Sequence, residues 1–283
     1  LLCGGVINSP QLLQLAGIGH PDHLSEVGIE TRHALPGVGK NLRDHFTPRF
    51  TARVKNSDTL NERVHGLRLM AEAVKWAFKR PSVLGIASTV CYAFARSDPV
   101  LEVNDLQITF MPASYKEGHQ SKLDEKPGMT IAAWQQRPDS MGTVRVRSAD
   151  PFDKPVIDAN YLGEESDQRV LLAGLKMARE LLRTKPMEPY FDGEIYPGDG
   201  VVTDDELLDT ARQRGTTVFH MMGTCRMGPE VDPTSVVDHE LCVRGIKGLR
   251  VVDASIMPTM PSANTNAATL MIAEKAAAII GAA

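Results

Sequence analysis

Apolar positions along this chain recur with two different periods, and the alternation between them lays out the expected elements. Between residues 59 and 79, Leu60, Val64, Leu67, Ala71, Val74 and Phe78 fall on one face of a helix. Thr59 and Glu62 form a capping box at its start and Pro81 stops it. Leu171, Leu175, Ala178 and Leu182 set a second helix over 167–183, with Pro186 and Pro189 beyond it. Thr203 with Glu206 opens a third, which Gly215 ends. Near the start, Ser9 and Pro10 suit the first turn of a helix that leaves at Gly17, and a short helix runs from Pro21 to Gly28. Strand-like runs occupy 49–54, 90–95, 105–111, 129–135 and 143–147. In the last, Val144 and Val146 alternate with Thr143, Arg145 and Arg147, so one face is wet. Strands in series after a single helix predict an antiparallel sheet. The polar stretch 118–128 reads as a mobile loop, 249–252 as a short strand, and the apolar stretch 267–283, interrupted by Glu274 and Lys275, as a buried globular helix.

Composition narrows the class. Of 283 residues, 42% are hydrophobic and 23% charged, an ordinary globular balance. The net charge of −4, with both signs interspersed, argues against a nucleic-acid surface, which needs a clustered basic face. No apolar run reaches the length of a membrane span. The four cysteines, Cys3, Cys91, Cys225 and Cys242, form no CxxC pair, which argues against zinc. Isolated thiols of this kind suit a reducing compartment, so the cytoplasm is the expected location. The opening residues carry no initiator Met and no signal-peptide pattern, and Leu1, Leu2 and Cys3 read as the end of a buried strand. The chain is therefore expected to be the C-terminal part of something longer.

Candidate chemistry gathers near the end. His220, in FHMMGTCRMG, and the Asn264-Thr265-Asn266 turn that opens the last helix lie 44 positions apart. The short apolar runs and Gly turns between them could bring both to one bound cofactor. The loop LPGVGKNLRDHF, residues 35–46, packs two glycines and a proline into four positions, a sign of close backbone approach. A serine-hydrolase reading has little support, because no GxSxG elbow is present.

Several stretches together resemble one family. GGVINSPQLLQLAGIG (4–19) is similar to the second signature of the glucose–methanol–choline flavin oxidoreductases, departing at Val6 and Ala16. PGVGKNLRDH (36–45) is similar to the loop that follows it. FHMMGTCRMG and LRVVDASIMPTMPSANTNAAT resemble the C-terminal active-site block, with Met221-Met222 replacing the usual Pro-Val. QQRPDSMGTVRVRSADP (135–151) resembles the substrate domain of the bacterial choline-dehydrogenase-like branch. The family's N-terminal strand–GxGxxG–helix unit does not occur here.

The resemblance implies an α/β protein, α+β overall. Residues 1–45 and 216–283 would be the remnant of a Rossmann-like FAD domain, and 46–215 a substrate domain with a mostly antiparallel sheet and helices on one face. It implies FAD as cofactor, an alcohol as substrate and an electron acceptor that is a quinone, another carrier or oxygen. The missing N-terminal half would be a partner, and any membrane association would come only through the acceptor. His220 would take the hydroxyl proton while hydride passes to flavin N5, and Asn264 would position the substrate oxygen. Asn264, Thr265 and Asn266 would present a helix N-terminus to the flavin, although a plain helix cap explains them too. Asp253 and Ala254 would approach the ribityl and pyrophosphate, against the simpler reading of a strand-end turn. Cys3 and Gly4 would lie on the adenine side, against the same simpler reading. For His45 a solvated loop position is the expectation, and for Cys225 no catalytic role. The rival reading is a truncated, non-catalytic chain that does not bind FAD and acts as an accessory or binding module.

Overall fold

A computed structural model describes residues 1–87, 89–116 and 122–281. The chain forms two compact units. Leu1–His45, Gln136–Asp167 and Thr217–Ala283 make the first, and Phe46–Gln135 with Gln168–Thr216 make the second. The helices are α1 (Gly5–Leu15), α2 (Pro21–Glu26), α3 (Leu60–Arg63), α4 (Gly66–Ala77), α5 (Glu165–Leu182), α6 (Asp204–Arg214) and α7 (Thr265–Gly281).

The second unit is built on an antiparallel sheet, as the serial strands predict. Its strands are β1 (Arg49–Val54), β2 (Cys91–Ala95), β3 (Leu106–Met111), β4 (Gly128–Gln135) and β5 (Phe191–Tyr196), in the order β5-β1-β4-β3-β2. The central β4 pairs Ile131 with both Phe50 of β1 and Phe110 of β3, and it is buried from Gly128 to Trp134. The edge strand β2 is almost wholly exposed. Helix α5 approaches the sheet through Gly174, where an added Cβ would come within 2.9 Å of Leu106 and 3.3 Å of Ala133. Arg179 of α5 makes a two-pronged ion pair with buried Glu194 of β5 (2.8 and 3.1 Å) and stacks over the Phe50 ring. Helix α6 carries the full Thr203/Glu206 capping box and ends at Gly215.

The helix expected over 59–79 is broken. The capping box forms, but α3 stops after Arg63 and the chain restarts at Gly66, whose φ is +52°. The apolar stripe of α4 faces outward: Leu67 is 83% and Val74 57% exposed, while Glu72 is buried. The cause is polar. The Glu72 carboxylate accepts from the Val83 N–H (3.0 Å) and Lys75 Nζ (2.6 Å), which turns that side of the helix inward. Of the loop expected over 118–128, residues 118–121 lie outside the described residues; beyond them Leu123 bridges Tyr115.

The first unit has a core of Leu13, Leu35, Val38, Met222, Val237, Val251, Ile256 and Ile272, among others. Residues 136–167, expected within the 46–215 domain, belong here. Buried Gln14 of α1 explains part of this, because its amide donates to the Val144 carbonyl (3.0 Å) and accepts from the Val146 N–H (3.1 Å). Leu42 also exchanges both backbone hydrogen bonds with Gly142. Helix α1 begins at Gly5, earlier than expected, and takes Pro10 into its interior. Pro10 lacks the N–H that would satisfy the Val6 carbonyl, and the Thr224 hydroxyl donates to that carbonyl instead (2.6 Å). The strand end expected at residues 1–3 reduces to a single bridge, Leu2 to Val251, with Leu1 and Cys3 exposed. The strand expected over 249–252 likewise reduces to isolated bridges at Arg250 and Val251. Helix α7 is not buried all round. Ile272 and Ala276, with Ala268 and Ile280, form one stripe against the core, whereas Leu270 and Met271 are 61% and 59% exposed.

The glycines of the 35–46 loop are there for close approach. A Cβ on Gly37 would stand 2.0 Å from the Thr234 carbonyl oxygen. Gly37→Ala is therefore expected to cost about 1–3 kcal/mol through displacement of backbone. Urea unfolding checks this: the midpoint should fall at unchanged slope, and an unmoved midpoint refutes the packing argument.

Candidate active site

Three segments of the first unit converge. Arg43 and Met222 exchange backbone hydrogen bonds (3.1 and 2.9 Å), and the Val218 N–H donates to the His45 carbonyl (3.0 Å), so residues 41–45 run beside 218–223. The N–H groups of Gly223, Cys225 and Met227 then donate to the carbonyls of Ala254, Ser255 and Ile256. That second ladder carries the chain toward Asn264 and the start of α7.

The convergence puts His220 between His45 and Asn264. His45 Nδ1 lies 2.9 Å from His220 Nδ1, with the two rings perpendicular. On the far side, His220 Nε2 lies 2.9 Å from Asn264 Nδ2. The other edge of His45 is fixed as well, with Nε2 2.8 Å from the Gln136 carbonyl oxygen. His45 is fully buried and His220 is 9% exposed, whereas Asn264 is open to solvent. The sequence-based expectation of a solvated His45 is thus overturned: pairing of 41–45 with 218–223 draws the ring inside.

Asp44 holds the backbone of this array. Its Oδ1 accepts from the His220 N–H (2.9 Å). Its Oδ2 accepts from the Tyr161 hydroxyl (2.6 Å) and from the Thr217 hydroxyl. Phe219, just before His220, has φ +61°, an uncommon conformation for a bulky residue. Such strain persists where surrounding contacts over-determine it, and the Asp44 carboxylate grips the residues on both sides.

Electrostatics follow from burial. Desolvation pushes the His45 pKa down to about 4, so this ring is neutral at neutral pH. Desolvation also lowers the His220 pKa, with the Asp44 carboxylate opposing. Burial raises the Asp44 pKa, and the hydrogen bonds from Thr217, Tyr161 and the backbone of His220 and His45 oppose that shift. Burial, then the Asp44 neighbour, raises the Tyr161 pKa. The arrangement offers a neutral imidazole, poised below its ordinary pKa, next to an amide at a helix start.

The other residues singled out from sequence fall as follows. Thr265 is buried at the start of α7, and Asn266 is exposed on its first turn. Asp253 uses both oxygens within the chain: Oδ2 accepts from the Gly5 N–H (3.0 Å) and Ser9 hydroxyl (2.6 Å), and Oδ1 from the Ser255 N–H (2.8 Å). The Ala254 carbonyl accepts from Gly223, and the Gly4 N–H donates to the Ser9 hydroxyl (3.0 Å). Cys3 is exposed. Cys225 is buried, and desolvation pushes its thiol up to about 12, which leaves it inert. Asp44, Tyr161, Thr217 and Gln136 were not anticipated. Asp44 and Gln136 had a signal, their places in the PGVGKNLRDH and QQRPDSMGTVRVRSADP stretches.

Comparison with known proteins gives a consistent answer. Models of the GMC oxidoreductase family match residues 1–47 and 138–273. The chain is 40% identical over 281 residues to an "Alcohol dehydrogenase [acceptor]" of Pseudomonas putida, covering 99% of this chain and 50% of that protein. It is 38% identical over the same length to an "Oxygen-dependent choline dehydrogenase" of Staphylococcus saprophyticus, again covering 99% and 50%. Among solved structures, a formate oxidase of Aspergillus oryzae superposes with a TM-score of 0.88 at 27% identity, over 100% of this chain and 54% of that one. The chain thus spans about half the length of the relatives it matches. With both family models matched and the His220 environment built from the motifs that suggested it, the chain belongs to the glucose–methanol–choline oxidoreductase family.

Proposed function

We propose that this chain contributes the proton-accepting site of an FAD-dependent oxidoreductase that oxidises the CH–OH group of an alcohol. The observation that carries the reading is the 2.9 Å approach of His220 Nε2 to Asn264 Nδ2 at the N-terminus of α7. The donor set fits a flavin. The first-turn N–H groups of α7 have no partners within the helix and carry partial positive charge. They open beside the Asn264 amide and a neutral imidazole, which suits the N1–C2 carbonyl edge of the ring. Gly5, at φ +76° with open space where a Cβ would stand, leaves the start of α1 clear for a ligand's approach. Bound FAD supplies the acceptor for the α-hydride.

The protein's own part is proton transfer and placement. An alcohol becoming a carbonyl loses its hydroxyl proton together with the α-hydride. His220 Nε2 takes the proton, and Asn264 Nδ2 donates to the substrate oxygen as it becomes a carbonyl. Beside a bound flavin, the α7 dipole would favour negative charge by about 0.3–2 kcal/mol. With FAD bound, the electrons would pass on to an acceptor. Two relatives' names differ on this point, one reading "[acceptor]" and the other "Oxygen-dependent".

The test is spectroscopic. The FAD-loaded protein, mixed anaerobically with primary alcohols including choline, is expected to lose its oxidised-flavin absorbance. A loaded protein that no alcohol bleaches contradicts the reading. A chain that does not retain FAD supports the rival, an accessory module.

A further inference from the structure

We propose that His45 is a positioning residue that locks His220 in one tautomer, with the proton on Nδ1 and the lone pair on Nε2. The inference rests on the reading of His220 as the base, and it names the residue that decides which nitrogen does the work.

The assignment follows a chain of donors and acceptors from one end to the other. The Gln136 carbonyl oxygen can only accept, so the His45 Nε2 that lies 2.8 Å from it must carry a proton. A neutral His45 then has a bare Nδ1. His45 is fully buried, and desolvation opposes a second proton on the ring. Bare Nδ1 lies 2.9 Å from His220 Nδ1, a distance at which one of the two nitrogens donates. The donor is therefore His220 Nδ1–H. A neutral His220 with Nδ1–H has its lone pair on Nε2, and there the Asn264 amide approaches with its NH₂ group at 2.9 Å. Reversing any one assignment sets two donors or two lone pairs against each other further along.

The consequence is functional. The proton leaving the substrate hydroxyl lands on Nε2, while Nδ1 keeps the one it has. The imidazolium so formed donates a stronger Nδ1–H bond to His45 than the neutral ring does. Without His45 to accept, the Nε2–H tautomer becomes available, and that tautomer presents a donor where the substrate needs a base. The other groups around the pair are Asp44, which accepts from the His220 backbone N–H, and Tyr161 and Thr217, which donate to Asp44. His45 is the group that meets His220 Nδ1, and through that contact it sets the tautomer.

The experiment is long-range ¹H–¹⁵N correlation on histidine-labelled protein at neutral pH, with His220 and His45 assigned by substitution. The expected result is a protonated Nδ1 and bare Nε2 on His220, and the reverse on His45. A protonated Nε2 on His220 overturns the inference, whatever the variants do. Two variants extend it. His45→Asn keeps a carbonyl oxygen near the place of Nδ1 and should preserve the His220 tautomer. His45→Leu removes the acceptor and should convert a large part of His220 to Nε2–H. In the FAD-loaded enzyme His45→Leu should also lower the rate of flavin reduction by at least about 10-fold at unchanged KM, with His45→Asn restoring most of it. Equal reduction rates in His45→Leu and wild type overturn the positioning role. The functional reading fails separately: a wild-type spectrum with the stated tautomers, together with full activity in His220→Ala, keeps the lock and removes the base.

Discussion

His220→Ala is expected to slow alcohol-driven flavin reduction by about 10²–10⁴-fold, the usual contribution of a positioned general base. The loss should fall on the reduction rate more than on substrate binding, because the imidazole acts as the proton leaves and Asn264 can still hold the oxygen. The fold should survive. Asp44 holds the backbone N–H of residue 220, not its ring, and the ring's Nε2 side meets solvent-open Asn264. Truncation leaves His45 Nδ1 without its donor, at roughly 1–3 kcal/mol for an unsatisfied buried group. Anaerobic stopped-flow mixing gives the rate directly. A rate within about threefold of wild type removes His220 from the mechanism.

Asp44→Ala is expected to produce the largest loss of stability, roughly 3 kcal/mol or more. The carboxylate is buried and accepts from the Tyr161 hydroxyl, the Thr217 hydroxyl and the His220 N–H. Removing it takes the acceptor from these donors and from the His45 backbone, each loss costing about 1–3 kcal/mol when desolvated, with partial relaxation reducing the sum. It also releases the restraint on the strained Phe219 backbone. Asp44→Asn should lose much less, because the amide oxygen still accepts and both hydroxyls can rotate to accept from its NH₂. Urea unfolding of the two variants separates these outcomes. Equal midpoints for Asp44→Ala and wild type contradict the account of how the site is held.

What was legible in the sequence, and what was not, has a physical pattern. Period-two burial was read closely, as in buried Val144 and Val146 alternating with exposed Arg145 and Arg147, although the strand itself covers only Thr143–Arg145. The α6 capping box was read from Thr203 and Glu206 alone, because its hydrogen bonds lie within four residues of chain. Errors came where distant polar groups decide the outcome. Glu72 turns α4 over by bonding Val83, and Pro10 sits inside α1 because Thr224, over 200 positions away, satisfies Val6. At the site, His220 and Asn264 were visible through the resemblance of their motifs. His45 was misjudged because loop composition says nothing of pairing with 218–223. Tyr161 carries no local signal at all, since its role arises only when distant segments converge.

The central claim is that neutral His220 accepts the substrate proton at Nε2. Its most direct test is the pH dependence of anaerobic flavin reduction at saturating alcohol. Protonation of His220 removes the base, so the wild-type rate should fall as pH drops. Because burial lowers the His220 pKa, that acid limb should lie below the ordinary histidine value of about 6.5. In His220→Ala the remaining slow rate should lose this limb. An acid limb of the same midpoint and amplitude in His220→Ala would contradict the claim.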